Sequence, residues 1–185
     1  MLFDGLAAMH LHIPFSEIPE HGVHVTISDR SWLPEELLDK AGPVRAELQL
    51  TKKSEGRIEV QGTLQAGFRL GCDRCLAEYD YVLAARLQLI VELPESGHWR
   101  LQDMEGTGSE LDTLQVTEPV VDLEDILRQQ IYLGLPAKQL CRENCLGLCV
   151  HCGSNLNEGQ CGCHQGKTVK SPFAVLASYK KQKKD

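Results

Sequence analysis

Eight cysteines are the residues of this sequence best placed to do chemistry, and their spacing says which chemistry. Six lie between Cys141 and Cys163 as Cys141-x3-Cys145-x3-Cys149-x2-Cys152-x8-Cys161-x-Cys163; the other two, Cys72 and Cys75, form a CxxC far upstream. Thiolates two to four residues apart converge on one cation because a tight turn carries both sulfurs to the same side, at the ~2.3 Å that tetrahedral zinc requires. One pair is weak evidence, whereas two CxxC pairs plus a CxC are strong. All eight read as metal ligands.

Eight thiolates make two four-coordinate sites. Cys149, Cys152, Cys161 and Cys163 form a locally complete set, because the intervening GSNLNEGQ is a turn-rich loop that folds back between the two pairs. Cys141 and Cys145 then need two partners, and Cys72 and Cys75 supply them if the chain returns after Pro136. Two zinc ions are expected, with His151 and His164 as substitute ligands. A redox CxxC opens a helix in a βαβ setting, whereas Cys72 and Cys75 sit between two strand patterns. Cys145-x3-Cys149-x2-Cys152 matches the cluster motif of radical S-adenosylmethionine enzymes, but those need a long βα barrel downstream and 33 residues follow Cys152. There is no Ser/His/Asp arrangement, phosphate-binding glycine loop or HExxH, so the expectation is a protein without catalysis or small-molecule substrate.

The elements that must position these thiols follow from patterning. Val44, Ala46, Leu48 and Leu50 alternate with polar residues, and after a turn at residues 53–56 so do Ile58, Val60, Leu64, Ala66, Phe68 and Leu70. This predicts a half-buried antiparallel hairpin, with Gly62 and Gly67 marking bulges in its long second strand. A third strand is expected over residues 79–93, so Cys72 and Cys75 fall at a hairpin tip. Leu76 follows Cys75 where a zinc knuckle often has glycine; Cys152-Gly153 fits better. Weak strands are expected at residues 10–13 and 23–28, with His10, His12, His21 and His24 as solvated strand and loop histidines. SWLPEELLDKAG reads as a short helix from Ser31, closed by Gly42, and residues 111–116 as a short strand. Asp122 caps a helix whose Leu123, Ile126, Leu127 and Ile131 form one buried stripe, ended by Gly134 and Pro136. Residues 94–110 read as a loop.

These elements give an α+β fold: a mainly antiparallel sheet or partial barrel, a few helices and a C-terminal cysteine-rich zinc-binding segment. The expected divisions are a β-rich body over 1–136, the cysteine-rich segment over 137–166, and an apolar docking segment with a basic tail over 167–185. With 185 residues the chain suits one ordinary domain and a small appendage, and its low aromatic content (5%) implies a modest core. A structural zinc offers on the order of 10–16 kcal/mol, comparable with the net stability of a domain.

The first residues have no basic stretch or long apolar core of a secretory signal, and no apolar run approaches ~20 residues, so the expectation is a cytoplasmic protein without a membrane span, where thiols stay reduced. The net charge of −7 hides an asymmetry: residues 164–185 hold six Lys and one Asp (+5), and residues 1–163 hold 13 Lys and Arg against 25 Asp and Glu (−12). An acidic body with a basic tail suits docking on a protein, or reaching RNA through Lys180, Lys181, Lys183 and Lys184 by salt-dependent phosphate contacts.

The order of GCDRC between strands, an acidic helix leading into LGLP, then LCRENCLGLCVHCGSNLNEGQCGC and a terminal SPFAVLASYKK resembles the YceD family of large ribosomal RNA subunit accumulation proteins. The resemblance implies a non-catalytic part in large-subunit biogenesis and 23S ribosomal RNA accumulation, with a 23S precursor or large-subunit proteins as partners. Zinc is inferred from the spacing. The alternatives from other classes are a zinc-ribbon regulator that binds protein or DNA, and a thiol oxidoreductase using Cys72 and Cys75.

Overall fold

The structure, a computed structural model, describes residues 11–94 and 113–164. It is mixed α+β, and its described residues form two compact units: 11–71 with 78–94 and 113–139, and 72–77 with 140–164.

The first unit is built on a five-stranded sheet of order β2-β3-β4-β5-β6, comprising β2 (Val23–Ile27), β3 (Ala41–Ser54), β4 (Arg57–Gly71), β5 (Glu78–Glu92) and β6 (Thr113–Gln115). The alternation read from the sequence sets its faces. Val44, Ala46, Leu48, Leu50, Ile58, Val60, Leu64, Ala66, Phe68, Leu70, Leu83, Leu87 and Val91 are buried on one side, and residues of opposite parity meet solvent on the other. Antiparallel pairing joins β2 through β5, whereas β6 runs parallel to β5 from Ile90↔Thr113 to Glu92↔Gln115. A second, two-stranded sheet pairs β1 (His12–Pro14) with β7 (Val120–Asp122).

The helix α2 (Leu123–Gly134) covers the apolar face with Leu123, Ile126, Leu127 and Ile131. Asp122 caps it as expected, accepting from the Asp125 N–H at 3.0 Å, and also meets His12 Nε2 at 3.2 Å. Trp32, Leu33 and Leu37 add to the core; the Arg128 Nε donates to the Trp32 carbonyl at 2.6 Å. No helix among the described residues is long and apolar enough to cross a membrane.

Two local expectations are corrected. The helix after Ser31 is one turn, α1 (Glu35–Leu38), and Gly42 belongs to β3 rather than to a helix end. Gly62 marks no bulge, since β4 pairs in register there with both β3 and β5; Gly67 does face one, because the shift between Ala41 and Val44 sets Gly42 and Pro43 of β3 against it, and a second shift lies between Lys52 and Ser54. Gly62 answers a close approach instead. A Cβ there would stand 2.0 Å from the Glu47 carbonyl oxygen and 2.9 Å from the Leu48 Cα.

Candidate metal centres

The eight cysteines form two groups of four, Cys72/Cys75/Cys141/Cys145 and Cys149/Cys152/Cys161/Cys163, each with its sulfurs within 4.8 Å of one another. All eight lie in the second unit. In the first group Cys72 Sγ stands 3.8 Å from Cys145 Sγ, and Cys75 Sγ 3.7 Å from Cys141 Sγ. These separations are far beyond a disulfide bond of about 2.05 Å. They match the edge of a tetrahedron, about 3.8 Å when each sulfur is ~2.3 Å from the centre. The donor set therefore fits a metal that takes four thiolates.

Local backbone geometry places the sulfurs. The tip between β4 and β5 is a turn in which the Leu76 N–H donates to the Cys72 carbonyl and the Cys72 N–H to the Ala77 carbonyl, both at 2.9 Å. The same turn recurs at Cys149: the Gly153 N–H donates to the Cys149 carbonyl at 2.9 Å and the Cys149 N–H to the Ser154 carbonyl at 2.8 Å. The residue after the second cysteine is left-handed in both, Leu76 at φ 60° and Gly153 at φ 73°. The two turns also aim the same N–H groups at sulfur: Arg74 and Cys75 at Cys72, His151 and Cys152 at Cys149, Ala77 at Cys75, Ser154 at Cys152. Such donors hold sulfur as thiolate.

Charge is shared unevenly within each group. Cys72 is brought down to about 6, chiefly by the Cys141 N–H, and Cys152 to about 6 by the Ser154 hydroxyl and N–H. The Cys149 thiol is lowered by the His151 N–H, and Cys145, against its burial, by the Asn157 amide. Burial pushes Cys141 up to about 12, and donation to Cys152 pushes Cys163 up to about 12. The Cys161 thiol is raised by its bond to Cys149, and Cys75, against the Ala77 N–H, by burial and the bonds to Cys145 and Cys72. Without a cation, protons are thus spread unevenly over the sulfurs of each group. A dication replaces those shared protons.

Residues that spacing did not single out complete the first group. The Asn157 Nδ2 donates to Cys145 Sγ at 3.3 Å and to Asn155 Oδ1 at 2.8 Å, while its Oδ1 accepts from the Leu146 N–H at 2.9 Å and Arg142 Nη2 at 2.6 Å. The Arg74 Nη1 donates to the Cys145 carbonyl at 2.9 Å, and the Arg74 carbonyl accepts from the Leu148 N–H at 3.2 Å. Between them Gly147 has φ 76°, and a Cβ there would stand 3.0 Å from the Arg74 oxygen. The two groups differ in cover: Cys72, Cys75 and Cys145 are buried, whereas Cys152 is exposed and Cys161 and Cys163 are half-buried. His151 contributes its backbone N–H, 3.5 Å from Cys149 Sγ. Lys180, Lys181, Lys183 and Lys184 lie outside the described residues.

A family model described as Large ribosomal RNA subunit accumulation protein YceD matches residues 60–180, a span that includes all eight cysteines. A maize (Zea mays) protein, the chloroplastic Large ribosomal RNA subunit accumulation protein YCED homolog 1, is 27% identical over 65% of this chain and 48% of its own. Its Arabidopsis thaliana counterpart is 23% identical over 76% of this chain and 50% of its own. An uncharacterized protein of Mycobacterium tuberculosis (strain H37Rv) is 28% identical over 71% of this chain and 61% of its own. The chain thus spans about half the length of the plant relatives. No solved structure gives a significant match.

Proposed function

The chain belongs to the YceD family of large ribosomal RNA subunit accumulation proteins, and from that membership we propose that it is a non-catalytic, zinc-binding factor of large-ribosomal-subunit biogenesis that supports accumulation and processing of 23S ribosomal RNA. The observation that carries this reading is the family match over residues 60–180, which takes in both cysteine groups and the segment leading to the tail.

Zinc is the metal of choice for four thiolates in a closed tetrahedron, and its role here is structural. Cys72, Cys75, Cys141 and Cys145 hold one ion, and Cys149, Cys152, Cys161 and Cys163 the other. Each ion fixes turns that have little core of their own. No thiol is left open for turnover chemistry when both sites are filled, which favours scaffolding over redox work. The partner is a 23S precursor or a large-subunit protein, with Lys180, Lys181, Lys183 and Lys184 near RNA phosphates.

The test is sedimentation of a gently lysed extract, following this protein beside 23S precursor RNA. Co-migration with immature large subunits, lost in high salt, is expected, together with reduced 23S RNA on depletion. A protein that stays at the top of the gradient, with 23S levels unchanged on depletion, overturns the reading. Elemental analysis of the purified chain is expected to give two zinc ions.

A further inference from the structure

Among the described residues, most of one side of the strand β5 has no neighbouring strand. It runs for 15 residues, yet β6 pairs only with Ile90, Val91 and Glu92. Among the described residues no strand pairs with residues 78–89 on that side. The outward-pointing backbone groups can be identified. The Glu92 carbonyl accepts from the Val116 N–H, so residue 92 points away from β4. Since β4 and β5 pair without a register shift, Asp80, Val82, Ala84, Arg86 and Gln88 also turn their N–H and C=O groups outward. Such an edge is a template for another strand.

Side chains along the edge favour a particular occupant. Val82 is 74% exposed on the solvent face. On the other face Gly134 packs against Leu83, and its neighbour Leu133 is 77% exposed. Asp80 and Arg86 carry opposite charges six residues apart on the same face. Arg69, opposite Asp80 on β4, is engaged with Glu78 at 2.9 Å, and Arg86 faces the neutral Thr63. Charged side chains are one device that protects an edge, and like charges set directly opposite each other repel a second strand. Here an antiparallel copy centred on Leu83 sets Asp80 against Arg86 twice and Val82 against Ala84 twice. That register also keeps outward-pointing backbone groups opposite one another, as a hydrogen-bonded ladder requires.

We propose that β5 is a dimerisation edge, on which a second copy of this chain adds its own β5 antiparallel in the register Asp80↔Arg86, Val82↔Ala84 and Leu83↔Leu83. The pairing joins two sheets into one and gives the exposed Val82 of each copy a cross-strand neighbour. It depends neither on the metal nor on the ribosomal role.

Sedimentation velocity of the full-length, metal-loaded protein from 1 to 100 µM reads it. A concentration-dependent dimer is expected. Asp80→Arg sets Arg against Arg, and Arg86→Asp sets Asp against Asp, so each variant alone should associate at least tenfold more weakly. An equimolar mixture of the two restores both opposite-charge pairs, and dimer should return. A monomer at 100 µM, or a dimer indifferent to either change, overturns the proposal. Should a variant not fold by circular dichroism, amide exchange of the unaltered protein decides. Exchange at Val82, Ala84 and Arg86 should slow as concentration rises; rates independent of concentration, whether fast or slow, overturn the pairing, slow ones meaning that this chain covers its own edge.

Discussion

Leu76 and Gly153 occupy the same place in two copies of one metal-binding turn, with φ of 60° and 73° and identical hydrogen bonds around them. The backbone conformation is dictated by the turn, since both sulfurs and their N–H donors depend on it. Glycine adopts it freely, whereas a residue with a Cβ loses about 1–2 kcal/mol. Leu76 is 72% exposed, so little burial offsets that loss. Leu76→Gly should therefore stabilise the metal-bound protein by up to about 1 kcal/mol, after the extra freedom glycine gives the unfolded chain. Gly153→Leu should destabilise by about 1–2 kcal/mol. Thermal melts of the two variants check the pair, and a loss of stability in Leu76→Gly would refute the equivalence.

Asn157 acts on the first metal centre without being a ligand. Its amide holds Cys145 Sγ by one N–H and the Leu146 N–H by its oxygen, so it fixes both the sulfur and the turn behind it. Partners of this kind are worth about 10–100-fold in metal affinity. Asn157→Ala should weaken the first site by that factor and leave the second unchanged. Chelator competition resolves the two sites when compared with Cys72→Ser, which should lose one ion outright. Equal weakening of both sites would show a general loss of fold instead.

What could be read from the sequence was what local spacing encodes. Val44 to Leu50 and Ile58 to Leu70 name their own faces, because parity is a local property of a strand. The division of the cysteines into two groups follows from the short spacings within each pair. The β1–β7 pairing, the parallel β5–β6 pairing and the hold of Asn157 on Cys145 join residues distant in sequence, or use a residue that reads equally well as a turn former. Leu76 is the instructive case: it departs from the glycine expected after Cys75, and the chain adopts the glycine conformation nonetheless.

Gly62 was misread for a physical reason. A glycine in a strand signals either a bulge or a close backbone approach, and periodicity does not separate them. Gly62 faces Leu48 in register, with the Glu47 carbonyl oxygen where its Cβ would be. Backbone cannot yield there without breaking the ladder. Gly62→Ala should cost about 3 kcal/mol or more in urea unfolding, in the range of severe overpacking. At Gly67 a Cβ would meet Pro43 no closer than 3.8 Å, so Gly67→Ala should change stability by less than about 1 kcal/mol. Similar losses at the two positions would refute the close-approach account.

Metal affinity should fall with acid, and more steeply at low pH than at neutral pH. Binding requires four thiolates, so every proton held by the metal-free group must leave. Near neutral pH, Cys72 and Cys152, at about 6, are already mostly thiolate, and Cys141 and Cys163, at about 12, are still thiols. Cys75 and Cys161 are raised and also hold their protons, whereas Cys145 and Cys149 are lowered, so each site releases between about two and three protons per ion. Affinity should then drop at least about a hundredfold from pH 8 to pH 7. Below about pH 6 Cys72 and Cys152 bind protons as well, so the drop per unit should steepen further. Chelator competition across pH 5–8.5, with proton release followed by an indicator dye, tests this. A release near four protons per ion at pH 8 would show that the turns do not hold thiolate in advance. A release near zero would show that cysteine sulfur is not the ligand.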